Sequence, residues 1–211
     1  MVGDRTDDPS WVPRLVDRLG PLSPVWQPSD DGQRAAAVLA LLSLTEDPDL
    51  VLTVRAANLA HHAGQISLPG GGREAADRSP SDTALRETCE EIGLPTPLVR
   101  PVGQMGTHEI SVSANRVIPV VGVWSGHETI AARDTAEVAL IVRWPVSLLA
   151  APETRVTARH PGGGQGPAWQ VGELFLWGFT GYLVDALLRL GGWEQEWDTG
   201  HVVEVPPRFR L

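Results

Sequence analysis

Glu87, Glu90 and Glu91 stand within a stretch, Ser81 to Ile92, that has no glycine or proline before Gly93. With Ser81 placed to cap the first turn and Asp82 beside it, the stretch predicts a helix. At roughly 100° per residue, Leu85, Thr88, Cys89 and Ile92 share one side, while the three glutamates gather on the other. Like charges at this spacing repel by a few tenths of a kcal/mol per exposed pair. An all-oxygen carboxylate cluster suits Mg²⁺ or Mn²⁺. An isolated acidic cluster is more simply a solvated helix face, and the upstream glycines change that balance. Pro69-Gly70-Gly71-Gly72 carries no side chain beyond the proline ring, so its backbone can approach a metal or a phosphate closely. Turn and helix together outline a pyrophosphate-and-metal site. It is not a P-loop, because the chain contains no lysine.

The run Arg86-Glu87-Thr88-Cys89-Glu90-Glu91-Ile92-Gly93-Leu94 resembles the second half of the Nudix box, REUxEExGU with U aliphatic. Thr88 stands at a usually aliphatic position. Gly72 takes the opening glycine, and Arg78 falls where an acid is expected, with Asp77 and Glu74 the nearest replacements. A second resemblance lies upstream. Val51-Leu52-Thr53-Val54-Arg55-Ala56, Leu59, His62, Gly64-Gln65 and Leu68-Pro69-Gly70-Gly71 are similar to the LLTxR(S/A)…GQxxFPGG signature of coenzyme A pyrophosphatase-type Nudix hydrolases, in which the loop acid sits where Asp77 is. The departures are Val51, Leu68 and Ala60, the last replacing a customary arginine. Leu176-Trp177-Gly178-Phe179-Thr180 resembles that subfamily's IWGxT, and Glu137 falls on the acid of its EVAEVFWVPL stretch.

The resemblance implies a Nudix-type α/β/α sandwich around a mixed sheet. It also implies Mg²⁺- or Mn²⁺-dependent splitting of coenzyme A or its thioesters into 3',5'-adenosine bisphosphate and a phosphopantetheine. Glu87 and Glu91 are the expected primary metal ligands, with Glu90 as ligand or general base and the backbone at Gly71 and Gly72 as a carbonyl ligand. Arg86 is expected to orient the carboxylates. Arg55, Gln65, Gly70, Gly72 and Glu137 are the expected substrate-side residues, and His108 and Glu109 are further pocket candidates. For Glu137, completion of the metal site, a base and a strand-edge salt bridge all stay open. Hydrolysis of another nucleoside diphosphate derivative, such as ADP-ribose or NADH, is the alternative that Ala60 keeps alive. A domain that senses a nucleotide without turnover is the other.

With 211 residues, 42% of them hydrophobic, the chain suffices for one domain burying roughly 70% of its unfolded surface. The net charge is −9 and all 17 basic residues are arginine, with no basic run, so a nucleic-acid partner is not expected. No apolar run approaches the roughly 18 to 20 residues of a membrane span, and the opening MVGDRTDDPS lacks a signal pattern, so a cytoplasmic protein is expected. The single cysteine, Cys89, excludes a disulfide within the chain and is expected to pack. His61 and His62, being adjacent, do not share a helix face and have no third ligand spaced nearby.

Around the acidic helix, the pattern predicts a short helix from Ser10 to Leu19 and a connection from Pro21 to Asp31. A pair of strands follows, Arg34 to Leu44 and Asp49 to Arg55, about the turn TEDPD, and Gln65 to Leu68 feeds the glycine turn. Further strands are expected at Leu98 to Met105 and Arg116 to Trp124, joined by the polar loop GTHEISVSAN, and at Asp134 to Trp144, followed by a short helix VSLLA. Thr154 to His160 and Pro167 to Leu176 read as a hairpin about PGGGQG, and Gly178 to Leu190 as a last helix. The expected divisions are 1–30 as an N-terminal helix and connection, 31–192 as the hydrolase domain, and 193–211 as a tail. The tail is expected to pack on the domain or on a second copy in a homodimer.

Overall fold

The computed structural model describes residues 8–27, 34–57, 59, 62–110 and 115–210. Ala60, His61 and part of the loop GTHEISVSAN lie outside them. The spine is β1 (Arg34–Ser43), whose side chains alternate between two buried layers. Ala37, Leu39 and Leu41 pack with Ala84 and Ile92 on one face, while Ala40 and Leu42 pack with Trp11, Leu15, Leu183 and Leu187 on the other. A strand covered on both faces reads as an almost unbroken apolar run, as RAAAVLALLS does.

Along its full length β1 pairs in parallel with β7 (Asn115–Trp124). It meets β2 (Asp49–Arg55) at Leu42↔Leu50, beside the turn, and then the two separate. The expected strand pair is therefore a fork, because each strand finds its main partner elsewhere. For β2 that partner is antiparallel β8 (Val138–Pro145), from Asp49↔Pro145 to Arg55↔Val138. Two short strands fill the mouth of the fork: β3 (Ile66–Ser67) pairs with β2, and β4 (Gly70–Gly72) pairs with β1 at Ala36, Ala37 and Val38. The glycine turn is thus fixed between the diverging strands.

β5 (Arg100–Gln104) and β6 (His108–Ile110) run antiparallel to β7 and complete an eight-stranded mixed sheet. The polar loop read from sequence therefore contains a strand. α2 (Pro80–Ile92) covers one face, and α1 (Trp11–Val16) and α4 (Gly178–Gly191) cover the other, giving the expected α/β/α layering. α1 is shorter than expected, and Asp134 to Glu137 form a turn, held by the Glu137 and Val138 amides on the Asp134 carbonyl, before β8 begins. α3 (Val146–Ala150) follows β8.

A second sheet, ordered β11-β10-β9-β12, was not foreseen. β9 (Arg155–Arg159) and β10 (Gln165–Val171) form the expected hairpin, but Gly172, at φ 57°, turns the chain so that β11 (Leu174–Leu176) folds back on β10. The tail supplies β12 (Val202–Glu204), parallel to β9. Trp193 sits 5.5 Å from Trp11, ring centre to ring centre, and Phe209 stacks on Phe175. Among the described residues no helix is long and apolar enough to cross a membrane.

Candidate active site

The helix that carries the glutamates starts one turn-position earlier than its sequence suggests. Ser79, not Ser81, is the cap: its hydroxyl accepts from the Asp82 amide at 3.2 Å, and Asp82 accepts from the Ser79 amide at 3.1 Å. Pro80 occupies the first helical position, where its missing N–H costs nothing and its φ already suits a helix. Gly93, left-handed at φ 73°, ends the helix through its amide on the Cys89 carbonyl. Thr88 is tolerated at its buried position because its hydroxyl bonds back to the Ala84 carbonyl at 2.7 Å.

β4 lies against the acidic side of α2. A Cβ on Gly71 would stand 2.6 Å from the Glu87 carboxyl carbon, so only glycine lets that carboxylate lie on the turn. Gly70, at φ 151°, donates its amide to Glu91 Oε2 at 3.2 Å, and a Cβ there would collide with the Ala37 carbonyl. Glu91 is consequently buried, at 8% exposure, whereas Glu90 on the same helix is exposed. The three acids do not share one solvated face.

Arg86 ties the arrangement together. It donates to Glu90 at 2.9 Å, to Glu87 at 2.9 Å, to the Gly72 carbonyl at 2.8 Å and to both oxygens of Asp77 at 3.2 and 3.1 Å. Asp77 is only 4% exposed and also accepts from Thr83 Oγ1 and the Glu74 amide. Burial alone would raise its pKa, but Arg86, the Glu74 amide and Thr83 hold it below the usual carboxylate range. Asp77 in turn raises the pKa of Arg86. Asp77, one of the two acids nearest the position that Arg78 fills, thus anchors the arginine, while Arg78 itself is exposed and pairs with Asp82.

Burial pushes Glu91 up to about 7; Glu87 and Glu137 add to the rise, and the Gly70 amide and Arg55 oppose it. Glu87 is also raised by burial, against the pull of Arg86. Glu137 is exposed at the entry to β8, and its carbonyl accepts from the Ala56 amide at 2.8 Å, next to Arg55. The fork therefore brings Arg55 and Glu137 to the glutamates of α2 through space. Arg55 Nε is buried and has no hydrogen-bond partner among the described residues.

Gln65, His108 and Glu109 have these surroundings. Gln65 directs its amide group to the Phe209 carbonyl at 2.9 Å and its oxygen to His62 at 3.0 Å. His108 packs edge-on to Phe179 at 5.5 Å between ring centres, and burial lowers its pKa. Glu109 is exposed on β6. The Asp77–Thr83 support and the Gln65–Phe209 link had no signal in the sequence, since neither hydroxyls nor backbone carbonyls advertise distant partners.

As they stand, no three His, Cys, Asp or Glu side chains among the described residues enclose a cation. The donor set nevertheless fits a hard divalent ion: Glu87, Glu90 and Glu91 with glycine carbonyls are all oxygen donors. Burial is the main cause of the upward shifts of Glu87 and Glu91, with neighbouring carboxylates adding to them, and a divalent ion bound there would favour the charged forms.

The class of protein to which this acidic helix and glycine turn belong is shown by comparison with known proteins, and it is a phosphoanhydride hydrolase of the Nudix class. The NUDIX domain pattern matches residues 33–161, and the chain belongs to that family. It is 33% identical over 193 residues, 88% of this chain and 97% of the relative, to a protein of Cronobacter sakazakii called uncharacterized Nudix hydrolase NudL. A protein of the same name from Pectobacterium atrosepticum is 44% identical over 114 residues, covering 54% of this chain and 56% of that one. Among solved structures, a NUDIX hydrolase from Alicyclobacillus acidocaldarius superposes with a TM-score of 0.48 at 17% identity, over 76% of this chain and 93% of that chain.

Proposed function

We propose that this diphosphate hydrolase cleaves coenzyme A or its thioesters, with water, to 3',5'-adenosine bisphosphate and (acyl-)4'-phosphopantetheine. The observation that carries the reading is the meeting of two sequence signatures at one place. Arg55, from the coenzyme A-type stretch on β2, acts electrostatically on Glu91 of the α2 box, and its buried Nε has no hydrogen-bond partner among the described residues. That is a donor suited to a phosphate oxygen.

In this reading Glu87 and Glu91 hold Mg²⁺ or Mn²⁺, and the backbone at Gly71 or Gly72 supplies a carbonyl. When bound, the divalent ion screens the phosphate charge and lowers the pKa of the attacking water. Glu90 serves as a further ligand or as the base that takes the proton from that water. Arg86 keeps the carboxylates oriented, and Asp77 keeps Arg86 in place. Arg55 binds a phosphate oxygen, Gly70 holds Glu91 by its amide, and Glu137 adds negative charge at the metal side.

The test is mass spectrometry of products after incubation with coenzyme A, ADP-ribose and NADH separately, each with and without Mg²⁺ or Mn²⁺. Metal-dependent cleavage of coenzyme A at its diphosphate is expected. Preference for ADP-ribose or NADH would replace the substrate and keep the chemistry. Binding of a nucleotide without any product would point to a sensing domain.

A further inference from the structure

The family resemblance does not account for the last residues of the chain, yet they reach the loop that follows Arg55. The 3-10 turn Pro207–Phe209 buries the Phe209 ring against Phe175 in a small core with Val156, Ala168 and Val205. From there the Phe209 carbonyl receives the Gln65 amide at 2.9 Å, a contact spanning 144 residues of sequence, and a Cβ on Gly64 would stand 3.8 Å from its ring. Gly64 and Gln65 are in turn bound to Arg55: the Arg55 amide donates to the Gln65 carbonyl at 2.9 Å, and the Gly64 amide donates to the Arg55 carbonyl at 3.1 Å. Both backbone polar groups of Arg55 are therefore tied to the two residues that the C-terminal turn holds.

We propose that Gln65 and the C-terminal turn form a clasp that sets the position of Arg55 for substrate binding. Gln65 is then a positioning residue and not a substrate contact. The route to substrate through Arg55 rests on the phosphate-binding role given to Arg55 above. A guanidinium misplaced by about 1 Å loses much of its directional hydrogen bonding to phosphate, so release of the clasp weakens binding before it affects the chemistry held on α2.

The test compares Gln65→Leu, Arg55→Ala and the double variant in the full-length protein. The readouts are amide hydrogen exchange and KM and kcat in saturating Mg²⁺, for whichever of coenzyme A, ADP-ribose and NADH is turned over fastest. Gln65→Leu keeps the bulk and removes the donor. It is expected to speed exchange at the Arg55 and Gly64 amides but not in α2, and to raise KM about tenfold, the scale of one lost hydrogen bond, with kcat changing less than about threefold. Arg55→Ala is expected to raise KM as well, and the double variant to add little to it, as coupled sites do. An unchanged KM for Gln65→Leu, a loss confined to kcat, or, where Arg55→Ala itself raises KM, an increase fully additive with it overturns the clasp. If Gln65→Leu raises KM and speeds loop exchange while Arg55→Ala leaves KM untouched, the clasp stands and the phosphate role of Arg55 falls.

Discussion

In the proposed function Glu91 carries two opposed demands: it is buried on the Gly70 amide, and it has to be charged to bind a cation. Glu91→Gln keeps the shape and removes the charge, and a loss of at least about a hundredfold in turnover is expected, the scale of losing one key electrostatic group. Near-normal turnover would remove Glu91 from the metal set. The same carboxyl makes the metal-free protein pH-sensitive. Its folded pKa, about 7, exceeds the ordinary 4.5, so the folded state holds the proton more tightly. The stabilisation this gives is complete below about 4.5 and is lost as pH rises toward about 7, amounting to up to ~3 kcal/mol. Thermal melts across that window should show a decline in the metal-free wild type that is smaller in Glu91→Gln, where raised Glu87 still contributes, and excess Mg²⁺ should reverse it, because the ion binds the deprotonated form.

At the scale of elements, the position of the acids depends on how α2 begins and on what lies against it. Ser79→Ala removes one half of the capping box and is expected to cost about 1 kcal/mol, lowering Tm by about 2–4 °C. Because the glutamates lie beyond the first turn, kcat should stay near normal; a large fall in kcat at unchanged Tm would show that the cap acts on the site itself. The helix was legible from its uninterrupted run and its carboxylates. Its start was misplaced because Ser79 and Ser81 are equivalent by type, and only the proline between them decides which serine has the extended backbone of a cap. The strand pair around TEDPD was legible as two strands and not as a fork, since apolar alternation specifies burial and leaves the pairing partner open.

Over the whole molecule, the second sheet and the tail hold a buried charge. Arg155, with no exposed side chain, pairs with Asp185 of α4 and lies between Trp169 and Trp197, at 5.0 and 4.4 Å from their ring centres. Asp185 also pairs with Arg189 at 2.7 Å. Asp185→Ala leaves the Arg155 charge buried without its carboxylate and is expected to destabilise the protein by about 3 kcal/mol or more. Denaturant unfolding would check this, and a change under about 1 kcal/mol would mean that Trp197 gives way and admits water to the guanidinium.

The sequence by itself determined the layers, the acidic helix and the glycine turn, because these rest on local periodicity, chain punctuation and residues spaced within one helix or one turn, and its resemblance to the box and the upstream signature gave the family. Tertiary structure alone decided that Glu91 is buried while Glu90 is not, and that Asp77 serves Arg86. It also decided that Arg55 and Glu137 arrive beside α2, and that Gln65 is held by the far end of the chain. Each of these depends on which surfaces meet after the strands diverge, and burial, charge compensation and hydrogen-bond partners are properties of that meeting, not of any one segment.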